Sequence, residues 1–251
     1  MPYASNAGVR IHYEVEGSGK PIVLQHGFTD SLMTWREYGY VAALRDRYQA
    51  ILIDARGHGE SDKPRDAADY ALDRRVTDVT AVLDALGIGK ASFWGYSMGG
   101  WVGFGLGMRH PGRVDRLVIG GQHPFARDQS GFRQWLRTGI KDGPVALIVA
   151  FEKMVGPISD AYAARLRAGD LEAWLAAVAD RESIEEGLSA MTMRCCIYAG
   201  GADPLFAQTK AASARVPHAR FFSLPGLSHV QAMVRSDLVL SHVMEFLDAP
   251  D

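Results

Sequence analysis

The chain has 251 residues, of which 47% are hydrophobic and 22% charged, and its formal net charge is −2. This length fits one large domain, or one domain with an insertion, and the proportions are those of a globular protein with a sizeable core. A charge so close to zero gives no electrostatic reason to expect nucleic acid or an anionic membrane as a partner. No apolar run in the sequence reaches the length of a membrane-spanning helix.

Residues 1–6 contain neither the basic cluster nor the apolar run of a secretory signal, so we expect a cytoplasmic protein. The two cysteines, Cys195 and Cys196, are adjacent within an apolar run. Neighbouring residues of a strand point to opposite faces, so we predict two buried free thiols and not a disulfide. The cysteine pattern also gives no indication of a metal site.

Short apolar stretches and helical patterns alternate along most of the chain. The predicted strands are 9–15, 21–25, 48–54, 91–94, 114–120, 193–199 and 219–224. The predicted helices of this part are 72–86, the segment that follows residue 97, and 230–247. Such alternation predicts an α/β fold with a mostly parallel sheet that is covered by helices on both faces.

Residues 122–190 interrupt this alternation, because they show helical patterns and no clear strand. The helical patterns lie at 132–140, 145–154, 161–168 and 171–179. We therefore predict a core domain of residues 1–121 and 191–251, with 122–190 inserted as a helical cap. A cap could cover a catalytic site and exclude water, but an ordinary extra layer of helices elsewhere on the surface remains the alternative.

Residues 95–99 have the pattern G-x-S-x-G, between a predicted strand and a predicted helix. A serine on such a turn projects its Oγ above the sheet, and the flanking glycines remove Cβ atoms that would clash. The N-terminus of the following helix directs free N–H groups toward any negative charge beside Ser97. In a chain with 27 glycines the motif arises by chance in about one case in six, so its context decides.

A serine nucleophile needs a base, and the base needs an acid that holds its tautomer. Asp203 follows one predicted strand, and His229 follows the next, which gives the chain order serine, aspartate, histidine. His26, His58 and His123 also follow strands, but this order favours His229. The alternative interpretations are a turn aspartate at 203 and a surface histidine at 229.

Together these motifs resemble the α/β-hydrolase fold family, over essentially the whole chain outside the insertion. The resemblance is carried by the G-x-S-x-G turn at 95–99, which the family calls the nucleophile elbow, and by Asp203 and His229. Two further segments match, H-G at 26–28 and D-x-R-G-x-G-x-S at 54–61. It implies a triad of Ser97, His229 and Asp203, with no metal and no organic cofactor. It also implies an oxyanion hole formed by the backbone N–H groups of Phe28 and Met98. The side chains of the two segments are expected to hold loops together, namely His26, Arg56, His58 and Ser61.

The resemblance implies a serine hydrolase that cleaves an ester or lactone of a small to medium, mostly uncharged substrate through an acyl-enzyme. Serine at position 97, followed by Met98, disfavours the haloalkane dehalogenases and most epoxide hydrolases of this fold, which use aspartate. The lack of a basic cluster near the motifs disfavours a strongly anionic substrate. Four alternatives stay open: a C–C bond hydrolase, a perhydrolase, a hydroxynitrile lyase, and a small-ligand receptor on a hydrolase scaffold. The expected partner is a small molecule, and the sequence does not define an oligomeric state.

Overall fold

A computed structural model of the protein describes residues 2–250, which form one eight-stranded sheet with helices on both faces. The strands are β1 Tyr3–Asn6, β2 Val9–Glu16, β3 Lys20–Gln25, β4 Tyr48–Ile53, β5 Ala91–Tyr96, β6 Val114–Gly120, β7 Arg194–Gly200 and β8 Ala219–Leu224. The helices are α1 Met33–Glu37, α2 Tyr40–Leu44, α3 Leu72–Ala85, α4 Met98–Arg109, α5 Ser130–Asp142, α6 Pro144–Val155, α7 Asp160–Ala168, α8 Leu171–Ala177, α9 Phe206–Ser213, α10 His229–Val234 and α11 Ser236–Asp248. Short 3₁₀ helices lie at Ala67–Tyr70, Pro111–Arg113 and Glu185–Ala190.

The strand order across the sheet is β1-β2-β4-β3-β5-β6-β7-β8. The pairs β1–β2 and β2–β4 are antiparallel, and all pairs from β4 to β8 are parallel. From β3 the sheet grows in both directions, to β4 on one side and to β5 on the other. In open α/β sheets, ligands bind at the carboxyl ends of the strands beside such a reversal. The predicted α/β-hydrolase architecture is confirmed.

Alternate residues of the central strands enter two separate apolar layers. In β5, Phe93 packs in the layer that contains α3 and α4, whereas Trp94 packs on the opposite face against Trp35. Cys195 and Cys196 divide in the same way, one in each layer, and both are buried free thiols. The sequence prediction for the two cysteines is therefore confirmed.

The helices α5 to α8 form an apolar cluster of their own, centred on residues such as Trp135, Leu147 and Phe151. Polar contacts attach this cluster to the loops above the sheet. The Tyr162 hydroxyl lies 2.7 Å from Thr29 Oγ1, and the indole N–H of Trp174 donates to the Gly57 carbonyl at 3.1 Å. The four helices start and end within two residues of the predicted bounds, and the division into core and cap domains stays a prediction.

Two elements differ from the sequence prediction. Strand β1 was not predicted, and it pairs with β2 at the outer edge of the sheet. The single helix predicted for 230–247 is wrong, because α10 and α11 are separated at Arg235, which has a non-helical ψ of 59°. The carbonyl of Met233 accepts a hydrogen bond from the Tyr40 hydroxyl at 2.9 Å, which satisfies a group at the end of α10 from outside the helix. Among residues 2–250, no helix has the length and apolar character that crossing a membrane requires.

Candidate active site

Ser97 lies on a sharp turn between β5 and α4, with a φ of 50° that side-chain-bearing residues rarely adopt. Backbone groups hold this turn, because the Ser97 N–H donates to the Gly120 carbonyl at 2.8 Å. A Cβ atom at Gly95 would collide with the Gly99 carbonyl, and one at Gly99 with the Gln25 carbonyl. Both glycines are therefore required by the close approach of strand and helix.

The three residues selected from the sequence as a triad lie in one hydrogen-bonded chain. His229 Nε2 is 2.9 Å from Ser97 Oγ, and His229 Nδ1 is 2.7 Å from Asp203 Oδ2. The other carboxylate oxygen of Asp203 accepts the Leu205 N–H at 2.8 Å, and the Asp203 side chain is fully buried. A carboxylate at Nδ1 favours the tautomer that leaves Nε2 free to accept the serine proton.

The backbone N–H groups of Phe28 and Met98 belong to the two segments beside Ser97. Met98 is the first residue of α4, and Phe28 follows β3 in the loop that also contains Thr29. Within residues 2–250, no hydrogen-bond acceptor is assigned to either N–H. Thr29 fixes its loop, since its N–H donates to His58 Nε2 at 3.2 Å in a backbone with a φ of 68°.

The histidines His26 and His58 lie beside this loop but bond to backbone groups. His26 Nε2 accepts the Ala55 N–H at 3.0 Å, and its Nδ1 is 2.7 Å from the Gly27 carbonyl. His58 Nδ1 lies 3.1 Å from the Arg56 carbonyl. Burial lowers the pKa of both imidazoles, so they are neutral at pH 7. Both rings hold the loop, whereas His229 is the histidine that contacts Ser97.

An apolar cavity of about 310 Å³ opens at Ser97 and His229. Its walls include Phe132, Phe151 and Val155, which come from helices α5 and α6. A second space of about 100 Å³ adjoins Ser97 from the side of the loop after β3 and shares these three residues. The helices of 122–190 therefore form one wall of the space above the serine.

Three arginines that the sequence did not indicate reach a third, smaller cavity beside Ser97. They are Arg75, Arg127 and Arg181, and the same cavity is lined by Met98. The three are more than fifty residues apart in the chain, so no local pattern could reveal their proximity. Among residues 2–250, no group of histidine, cysteine, aspartate and glutamate side chains is arranged to hold a metal ion.

The comparison with known families identifies the class of protein. Residues 20–171, more than half of the chain, match the family model described as alpha/beta hydrolase fold. The chain belongs to this family, as the sequence motifs predicted.

Individual relatives give a more detailed comparison. The chain is similar to the enol-lactonase of Burkholderia xenovorans LB400, with a TM-score of 0.86 and 25% identity over 99% of this chain and 100% of that one. It is 39% identical to the cis-3-alkyl-4-alkyloxetan-2-one decarboxylase of Shewanella oneidensis over 47% of this chain and 37% of the relative. It is 34% identical to epoxide hydrolase 4 of Mus musculus over 45% of this chain and 32% of the relative. These matches therefore span less than half of the length of the two curated relatives.

Proposed function

We propose that this chain is a serine hydrolase that cleaves a carboxylic ester or lactone of a small to medium substrate. The observation that carries the proposal is the hydrogen-bonded chain from Ser97 Oγ through His229 to Asp203 Oδ2. The strained backbone of Ser97 supports it, because strain of this kind is retained where a function requires it. The similarity to an enol-lactonase over the whole chain supports acyl chemistry in particular.

In the proposed first step, Ser97 Oγ attacks the substrate carbonyl carbon while His229 Nε2 takes the hydroxyl proton. The tetrahedral intermediate then collapses, and His229 gives that proton to the leaving alkoxide, which leaves an acyl ester on Ser97. In the second step a water molecule attacks this ester, with His229 again accepting the proton and returning it to Ser97. Asp203 orients the imidazole and stabilises its cation throughout. The chemistry requires no metal or organic cofactor.

The proposal assigns the oxyanion to the backbone N–H groups of Phe28 and Met98. Phe28 lies on a loop that the bond of Thr29 to His58 holds in place, and Met98 begins α4, so neither donor needs to rearrange when negative charge develops. The loss of one such donor typically lowers turnover by a factor of about one hundred or more. The helices of 122–190 would act as a cap that excludes water from the acyl-enzyme.

The epoxide hydrolase relative raises a second possibility, which position 97 disfavours. Epoxide opening of the kind this fold performs uses a carboxylate nucleophile, and this chain has serine there. A serine hydroxyl with a histidine base is suited to attack on a carbonyl.

The test is turnover of p-nitrophenyl esters of graded acyl length, and of simple lactones, by the chain and its Ser97→Ala variant. We expect kcat to fall by a factor on the order of 10⁴ or more in the variant. The exposed Ser18→Ala exchange is the matched control and should retain the original rate. Ester turnover by Ser97→Ala at the original rate would contradict the mechanism.

A further inference from the structure

Three guanidinium groups line one small cavity beside Ser97, which we term the arginine cavity. Arg75 belongs to α3. Arg127 and Arg181 lie on two segments whose backbones pair, with the Arg127 N–H donating to the Arg181 carbonyl at 2.9 Å and the reverse bond at 3.0 Å. This pairing brings two arginines from distant parts of the chain to the same cavity.

The acidic residues near the arginine cavity have other partners. Asp180, adjacent to Arg181 in sequence, pairs with Arg133 at 2.8 Å. The charge of Asp203 opposes the effect of burial on the pKa of Arg127, but both oxygens of Asp203 are bonded to other groups. Within residues 2–250, no carboxylate forms an ion pair with any of the three arginines of the cavity.

The three arginines differ in how far their donors are used. Arg75 donates to the carbonyls of Tyr70 at 2.8 Å and Ala177 at 2.9 Å. Arg181 stacks over the ring of Trp101 at 4.2 Å, and its Nη1 is buried without a hydrogen-bond partner. Arg127 lies 5.6 Å from the ring of Phe132, with no side-chain hydrogen bond to the described part of the chain. Arg127 and Arg181 thus keep donors available for a ligand.

This concentration of positive charge is unfavourable in the free protein. Burial lowers the pKa of Arg75 to about 10 and also lowers the pKa of Arg127. Burial, together with repulsion from the other two, places the pKa of Arg181 well below its usual value. Buried cations are stable when an anion pairs with them, and here residues 2–250 supply none.

We propose that the arginine cavity binds a carboxylate group of the substrate, so that the ester or lactone cleaved at Ser97 carries a free carboxylate. This inference rests on the proposed hydrolase function. It replaces the sequence-based expectation of a mostly uncharged substrate. Arg127 and Arg181 are assigned the direct contacts, and Arg75 adds to the positive potential.

The position and size of the cavity support a carboxylate that belongs to the substrate itself. Ser97, Met98 and Phe28 line it together with the arginines, so the carboxylate lies only a few bonds from the carbonyl under attack. Its volume of about 30 Å³ suits one small group, and the mostly apolar cavity of about 310 Å³, which Arg127 also lines, is left for the remainder. A guanidinium fork matches the two oxygens of a carboxylate.

The test compares mono-p-nitrophenyl glutarate with p-nitrophenyl pentanoate, which differ by a carboxylate in place of a terminal methyl group. Rates are corrected with Ser97→Ala as the blank. We expect kcat/KM to be at least about tenfold higher for the glutarate ester. Arg127→Met and Arg181→Met should each reduce this ratio by about tenfold or more, with circular dichroism reporting on their folding. The exposed Arg137→Met, on α5, is the matched control and should keep the original ratio.

The outcomes distinguish a failure of the carboxylate site from a failure of the hydrolase function on which it rests. Serine-dependent turnover with a preference for the pentanoate ester would refute the carboxylate and leave the hydrolase proposal standing. An equal loss on both esters in the arginine variants would show a structural role for the arginines and also refute it. If neither ester is cleaved, the hydrolase proposal fails for such esters, and titration calorimetry with glutarate decides on the anion site. Binding that Arg181→Met abolishes supports the site, and no binding to the original chain refutes it.

Discussion

The two sides of Ser97 differ in how completely the protein satisfies its own polar groups. On one side, His229 and Asp203 bond to each other and to their neighbours, and residues of the protein supply every contact. On the other side, Arg127 and Arg181 face a cavity with no carboxylate partner in the described residues. The polar groups of the first arrangement are satisfied within the protein, whereas in our proposal the second takes an anion from outside.

Arg56, a buried arginine outside the arginine cavity, shows that this contrast does not follow from burial alone. Arg56 is as deeply buried as any residue of the site, and its Nε donates to Asp78 Oδ2 at 2.6 Å. Its remaining donors reach the other oxygen of Asp78 and the Asp69 carbonyl. The buried Arg56 therefore has a carboxylate partner within the fold, whereas Arg127 and Arg181 beside Ser97 have none among the described residues.

Among the variants that keep Ser97, the largest effect is expected from Asp203→Asn. The amide keeps the shape of the side chain but can present its NH₂ group to His229 Nδ1, which favours the tautomer that cannot accept the Ser97 proton. We expect kcat for a p-nitrophenyl ester to fall by about 10³- to 10⁴-fold. The measurement is the rate of p-nitrophenol release at pH 7.5.

The control for this variant is Asp237→Asn, which changes an exposed carboxylate of α11 in the same way. It should keep the turnover of the original chain within about twofold, because exposed ion pairs contribute little. A similar kcat in Asp203→Asn and in the control would show that the buried carboxylate does not act through His229.

A difference in stability is expected between Arg56→Met and Arg181→Met. Removal of Arg56 leaves the buried Asp78 without its cation, which typically costs about 3–5 kcal/mol. Removal of Arg181 eliminates an unpaired buried charge and loses only its stacking on Trp101, worth about 1 kcal/mol. Urea unfolding should therefore show a large loss for the first variant and a stability within about 1 kcal/mol of the original, or higher, for the second.

Equal losses in the two variants would end the distinction between paired and unpaired arginines. Arg181 would then be a structural residue, and the cavity would need no anion. The slope of the unfolding free energy against urea should be similar in all three proteins, which establishes that the same transition is compared.

The side of Ser97 that contains His229 and Asp203 was predicted from the sequence because each of these residues lies in a local motif. The elbow at 95–99 lies directly between strand and helix, and Asp203 and His229 each follow a strand of a parallel sheet. Such strands end at one edge, so their position in chain order is enough to predict their proximity. The backbone N–H groups of Phe28 and Met98 were selected in the same way and stay a prediction.

The arginine cavity on the other side of Ser97 could not be predicted in this way. Arg75 lies on a helix of the core, whereas Arg127 and Arg181 lie near opposite ends of the region 122–190. The backbone pairing of 127 with 181 and the bonds of Asp180 to Gln129 and Arg133 bring the last two together, and such isolated contacts leave no periodic pattern in the sequence. The break between α10 and α11 was missed for a similar reason, since it involves the side chain of the distant Tyr40.

The smallest expected effect concerns His123, which reports on the charge of the arginine cavity. Burial lowers its pKa to about 4, with smaller contributions from the positive charges of Arg127 and Arg181. Arg181→Met removes one of these charges, so the pKa of His123 should rise, but should stay below 6.5 because burial is the larger cause. Titration of the imidazole signals by NMR measures the change, and Arg137→Met should leave them unmoved.

The same titration connects the cavity to stability. Because folding lowers the pKa of His123, its contribution is complete above pH 6.5 and is lost as the pH falls from 6.5 toward 4, at up to about 1.4 kcal/mol per pH unit. A carboxylate held by the arginines would compensate their charge, so glutarate should raise the pKa of His123 in the original chain and have no such effect in Arg181→Met. A His123 signal that responds neither to glutarate nor to the arginine exchange would mean that the cavity holds no anion and that its charge does not reach the imidazole.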